Sequence, residues 1–232
     1  MNSNLVADFL QSMMQTSWLE WLAAAAGIIS VWYSKKESSW VYPTGLLNTI
    51  IYTWLSLKYH LPGEGVVNFY YTAMSLYGWY NWSRKDLTQQ SIVQISYNTR
   101  KERIQQVLFF VVIYFVLYGS LTGLKEYFFE GAIPWADALA SAAAFTGMWL
   151  MTQKKVESWY WWILTNITSM PLYFVKGLRV TALYYLILLL LAFAGLYSWK
   201  EKAKRPMLKK IVIIGPESTG KSTLCQELAE YF

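Results

Sequence analysis

The chain has 232 residues, of which 55% are AVILMFWYC, 18% aromatic and only 15% charged, against about 25% charged in soluble domains. That composition excludes an ordinary soluble domain. The formal net charge of +6 is confined to particular loops and comes with no groove-reading module, so nucleic acid is not an expected partner. Uncharged stretches of roughly 18 residues recur, each long enough to cross about 30 Å of hydrocarbon as a helix. The fold class expected is an all-α polytopic membrane protein. Met1 to Leu10 carries no basic n-region and no small-residue cleavage site, so a removable signal peptide is not expected. The single cysteine, Cys225, cannot form an internal disulfide.

Apolar runs bounded by charge predict seven membrane spans, near 19–34, 39–57, 65–82, 104–124, 135–152, 158–175 and 180–199. Residues 1–18 form a preceding segment, and residues 200–206 a basic linker. One alternate set of loops holds Lys35, Lys36, Arg84, Lys85, Arg100, Lys101, Arg103, Lys154, Lys155, Lys200, Lys202, Lys204 and Arg205, thirteen cations; the other holds Lys58, Lys125, Lys176 and Arg179, four. Because Lys and Arg are retained on the cytoplasmic side, the N-terminus is expected outside and the C-terminus in the cytoplasm.

The two halves echo each other. Ser34-Lys35-Lys36-Glu37-Ser38-Ser39-Trp40 resembles Gln153-Lys154-Lys155-Val156-Glu157-Ser158-Trp159, and Leu76-Tyr77-Gly78-Trp79 resembles Leu196-Tyr197-Ser198-Trp199, at an offset of about 119. Spans one to three are therefore expected to repeat in spans five to seven, with span four as linker. An odd linker keeps both triplets in the same orientation, a parallel 3+1+3 repeat with a substrate pathway along its axis.

Within the span interiors there is no Asp, Glu, Lys or Arg, which favours an uncoupled facilitator over an ion-coupled carrier. Asn48 and Asn166 fall near the middle of spans two and six, where an amide facing lipid would be unpaired, so both should face a partner or a cavity. In span six Trp159, Trp162 and Asn166 follow W-x2-W-x3-N and share one helical face. Two indoles beside an amide make a clamp for a flat heteroaromatic ring, above all a cationic one. Trp159, near the span's end, equally suits an interfacial belt. Pro43 and Pro171 interrupt spans two and six and permit kinks. In span three Asn68 and Tyr71, spaced i, i+3, share a face and can reach a polar ligand group, while the Tyr77-Gly78-Trp79-Tyr80-Asn81-Trp82 run suits belt or core packing. His60, the only histidine, reads as a turn residue; no metal cluster and no cofactor are expected.

After the linker, Lys209-Lys210-Ile211-Val212-Ile213-Ile214 leads into Gly215-Pro216-Glu217-Ser218-Thr219-Gly220-Lys221-Ser222, a strand followed by G-x4-G-K-S. This is a P-loop in its expected context, with Gly215, Gly220, Lys221 and Ser222 as phosphate-binding positions. One strand and one helix cannot bury a core, so residues 207–232 read as the truncated start of a kinase or ATPase whose nucleotide site is vestigial, and the chain is not expected to be an enzyme.

With W-x2-W-x3-N in span six, Tyr-Gly-Trp-Tyr closing span three and the 3+1+3 layout, residues 15–202 resemble the PnuC family of vitamin-precursor transporters. That resemblance implies facilitated diffusion of nicotinamide riboside across the bacterial inner membrane, a SWEET-like fold, a homotrimer and trapping by cytoplasmic phosphorylation. It places Trp159, Trp162 and Asn166 at the ligand, with Asn48, Asn68 and Tyr71 as weaker candidates. The P-loop run separately resembles the start of a NadR-type nicotinamide riboside kinase. Alternatives left open are thiamine or another heteroaromatic vitamin, a sugar facilitator, and a membrane-anchored nucleotide-binding protein.

Overall fold

The structure is a computed structural model that describes residues 13–14, 16–58, 62–87, 89, 91–123, 133–204 and 223–224. The P-loop positions Gly215, Gly220, Lys221 and Ser222, and His60, lie outside the described residues. Among the described residues seven helices follow in order: α1 (Trp18–Lys35), α2 (Val41–Lys58), α3 (Pro62–Ser83), α4 (Arg100–Gly123), α5 (Pro134–Thr152), α6 (Ser158–Val175) and α7 (Arg179–Lys204). Their ends lie within five residues of the predicted spans. The largest excess is at α7, where Lys and Glu, good helix formers in water, carry the helix past its apolar stretch.

Local chemistry sets several of these starts. Ser17 Oγ accepts from the Glu20 amide (3.3 Å) while Glu20 Oε2 accepts from the Ser17 amide (2.8 Å), a capping box that starts α1. At α5, Pro134 takes a first-turn position and Asp137 accepts from the Ile133 amide at 2.6 Å. Pro43 does not interrupt its helix as the sequence suggested: it is the third residue of α2, in the turn whose amides have no helical acceptor anyway. Pro171 does lie inside α6.

By length and hydropathy alone, α4 and α7 are apolar enough to cross a membrane. The other helices fall short because they carry amides and hydroxyls, many of which bond within their own helix: Thr53 donates to the Thr49 carbonyl, Thr146 to Ala142 and Thr168 to Leu164. Large apolar side chains are exposed along the outer faces, as Ile104, Leu108 and Phe115 on α4 and Leu190 and Phe193 on α7. Such a surface suits lipid rather than water.

Helix α1 packs on α2 and α2 on α3; α5 packs on α6 and α6 on α7; α3 meets α5 and α7 meets α1. These contacts close a circuit of six helices, and α4 packs on α5 outside it. Taken as two triplets, α1–α3 and α5–α7, the helices share a step of 117 residues, since Val41 to Ser158, Lys58 to Val175 and Pro62 to Arg179 are all that step. The turn after α1 and the turn after α5 recur in the same register. Ser38 and Lys155 amides bond back to the Tyr33 and Leu150 carbonyls, and Glu37 and Lys154 amides to Ser34 and Met151. Both are Schellman caps. Their left-handed residues are Glu37 (φ 63) and Lys154 (φ 53), each costing about 1 kcal/mol against glycine. The offset of 119 suggested by the paired Lys-Lys strings is therefore two residues out: the charges recur in composition, whereas hydrogen-bonded caps fix the register.

Candidate functional site

At the cation-rich end, the halves contact each other through residues that are 117 apart. Trp82 Nε1 donates to the Met151 carbonyl (3.2 Å), and Trp199 Nε1 donates to the Ser34 carbonyl (3.0 Å). The two indoles lie 6.0 Å apart, Ser34 Oγ is 3.0 Å from Met151 Sδ, and Lys154 Nζ is 2.8 Å from Glu37 Oε1. In all three pairs a residue touches its own equivalent, as contacts on a two-fold axis do. The same relation links Tyr42, packed on Gly78 and edge-on to Trp82, with Trp159, packed on Gly195 and edge-on to Trp199. A Cβ at Gly78 or Gly195 would collide with those rings.

Trp159 is thereby a core residue of the cation-rich end, 1% exposed, and the structure divides the W-x2-W-x3-N motif. Trp162 lies one turn deeper and half-buried. Its ring is 6.3 Å from Tyr71 on α3, Tyr71 is 6.1 Å from Phe145 on α5, and Tyr70 lies 4.2 Å from Phe145 while its hydroxyl donates to the Phe145 carbonyl at 3.0 Å. Gly147 lets Trp162 approach α5, its Cβ position being 3.3 Å from the indole. Asn166, 3% exposed, follows one turn further along the same face as Trp162. Tyr71 keeps accessible surface although α5 and α6 both reach its ring.

Asn48 has a different setting. Its Nδ2 donates to the Ala23 carbonyl at 2.7 Å, and its side chain is bonded to the Tyr184 hydroxyl of α7. In the other triplet Thr165 Oγ1 donates to the Ala140 carbonyl at 3.4 Å, and both residues are 117 beyond their counterparts. Asn48 is thus one of a matched pair of struts tying the first helix of each triplet to the second. The register pairs Asn166 with Thr49, which bonds Thr72 at 3.0 Å. Asn68, half-buried on α3, accepts from Thr72 Oγ1 at its carbonyl. The structure brings Tyr71, Phe145 and Trp162 together, buries Asn166 one turn along α6 from Trp162, ties Asn48 to Ala23 and Tyr184, and sets Trp159 in the end cluster.

Sequence reasoning missed Tyr70, Phe145 and Tyr184. Phe145 was visible as the one large side chain in Ala142-Ala143-Ala144-Phe145-Thr146-Gly147, and Tyr184-Tyr185 as the hydroxyl-bearing pair that opens the aliphatic run Leu186-Ile187-Leu188-Leu189-Leu190-Leu191-Ala192.

The family model described as nicotinamide mononucleotide transporter matches residues 17–201. The chain is 25% identical over 208 residues to the nicotinamide riboside transporter PnuC of Escherichia coli, covering 81% of this chain and 87% of that protein. It is 25% identical over 195 residues to the riboflavin/roseoflavin transporter RibM of Streptomyces davaonensis, with the same coverage. A crystal structure of the vitamin B3 transporter PnuC superimposes with a TM-score of 0.65 at 23% identity, over 87% of this chain and 88% of that one.

Proposed function

The chain belongs to the nicotinamide mononucleotide transporter family, and on that premise we propose that it carries nicotinamide riboside across the bacterial inner membrane by facilitated diffusion. It is a transporter and not an enzyme. The observation that carries the substrate is the aromatic layer of Tyr71, Phe145 and Trp162, with Asn166 buried one helical turn along α6 from Trp162. Ring faces attract a pyridinium cation without a buried carboxylate, and an amide in a dry interior needs a partner that a carboxamide or ribose hydroxyl supplies.

Residues 19–199 are the transport unit in this reading, with the triplets as a parallel, SWEET-like 3+1+3 repeat around an axis that is also the substrate pathway. The common 117-residue step and the contacts between equivalents support that arrangement. Alternating access moves the triplets against each other about a site midway along the axis. The excess of cations on one set of loops supports a cytoplasmic C-terminus. The P-loop run in residues 207–232, resembling a NadR-type kinase, supports trapping by phosphorylation after entry. A homotrimer is the assembly the family resemblance implies.

Calorimetry on the purified protein, titrating nicotinamide riboside, thiamine and riboflavin in turn, tests this reading. Heat with the riboside that Trp162→Ala weakens about tenfold or more is the expected result; binding of thiamine or riboflavin alone moves the chain to another vitamin with the same fold.

A further inference from the structure

Glu37 and Lys154 occupy equivalent left-handed positions, at φ 63 and 53. Glycine is the residue that geometry favours, and the chain uses it at the third such cap, Gly177 with φ 80 after α6. At the two caps beside the axis the chain instead carries opposite charges, and their side chains meet at 2.8 Å. Lys154 is 3% exposed; it also lies 3.3 Å from Ser91 Oγ and 4.9 Å from the Trp82 ring centre. Glu37 takes a second cation, Lys202 of α7, at 3.4 Å. Non-glycine residues kept in a strained backbone conformation tend to mark switch regions.

Among the described ion pairs, those joining one triplet to the other are Glu37–Lys154 and Glu37–Lys202, both at the cation-rich end. Lys176–Asp137, at the opposite end, joins α6 to α5 within one triplet. The closed end is also incompletely satisfied: Tyr42 Oη and Trp159 Nε1, equivalent residues, are buried without a hydrogen-bond partner.

We propose that the Glu37–Lys154 pair is the latch holding the cation-rich end of the pathway shut, parted each time that end opens. The inference rests on the transport reading. When the triplets separate, the buried Lys154 ammonium returns to water while Glu37 already meets solvent, so the latch is strongest while Lys154 is shielded. Two different side chains across the axis let one half hold the other by attraction, which identical residues at equivalent positions would not do.

The test is riboside uptake into liposomes by the full chain carrying Cys225→Ser, with and without Glu37→Cys and Lys154→Cys. Bridging the two cysteines with a short bifunctional thiosulfonate is expected to cut uptake about tenfold or more, with recovery on reduction, while either single cysteine treated alike keeps its rate. Unchanged uptake with the bridge verified by mass overturns the latch, because the two positions then never part. A Cys225→Ser parent that takes up no riboside overturns the transport reading and the latch with it. A second variant, Glu37→Gly with Lys154→Gly, gives both caps their favoured residue and so protects folding. It is expected to raise the thiol reactivity of a Ser34→Cys reporter about fivefold; an unchanged rate overturns the proposal.

Discussion

The first and second triplets agree closely at the cation-rich end and diverge in the middle. At that end Trp82 and Trp199, Ser34 and Met151, and Tyr42 and Trp159 make reciprocal contacts. One helical turn deeper the halves differ. Ser30 on α1 faces Gly45 on α2, whereas the equivalent positions hold Gly147 on α5 and Trp162 on α6. A crossing kept open by a small residue on one helix is filled by an indole from the other. Symmetric contacts suit a joint that both halves must form together; an asymmetric middle suits a ligand that has no two-fold symmetry. On the transport reading proposed above, closure and recognition lie in different layers of the bundle.

The sharpest way to break that division is at the residue the motif assigned to ligand and the structure assigns to the joint. Trp159→Ala removes a fully buried ring and is expected to cost about 3–5 kcal/mol of stability, read as thermal unfolding in detergent, with Tyr42→Ala next in size. If Trp159→Ala keeps its stability and loses only riboside binding, Trp159 belongs to the site and the layers are not separate. Gly195→Ala and Gly78→Ala probe the same joint from the opposing helices. Each drives a methyl into an aromatic ring and is expected to cost about 1–3 kcal/mol, the two values agreeing if the joint is symmetric.

In the middle layer the expectation reverses. Trp162→Ala is expected to weaken riboside binding about tenfold or more in calorimetry, a loss of about 1.4 kcal/mol, while its half-exposed ring leaves unfolding less affected than Trp159→Ala does. Equal loss of stability in the two tryptophan variants would merge the layers.

Much of the helical architecture was legible, because long apolar runs between Lys and Arg carry their own boundaries. Register was not: Lys35-Lys36 and Lys154-Lys155 match as strings, but backbone caps at Glu37 and Lys154 fix the turns two residues away. Helical spacing placed Trp159, Trp162 and Asn166 on one face, yet a face says nothing about depth, and depth separates the joint from the site. Pro43 looked like a break because its place in the helix depends on where α2 begins. Phe145 escaped notice because the ring that packs on Tyr70 and Tyr71 looks like any other core ring until its neighbours are known.

Register also decides the smallest effect. Read by sequence alone, Asn48 and Asn166 are a pair; in the structural register Asn48 answers to Thr165 and Asn166 to Thr49, one residue and about 100° apart around the helix. Asn48 and Thr165 each bond a carbonyl on the preceding helix, at Ala23 and Ala140. Asn48→Thr should therefore keep the strut, and Asn48→Ala should cost about 0.6 kcal/mol, the scale of such bonds in membranes, with riboside affinity nearly unchanged. Asn166→Ala should do the opposite, lowering affinity in calorimetry with little change in unfolding. If the two alanine variants lose affinity equally, Asn48 reaches the ligand through Tyr184, and both amides belong to the site.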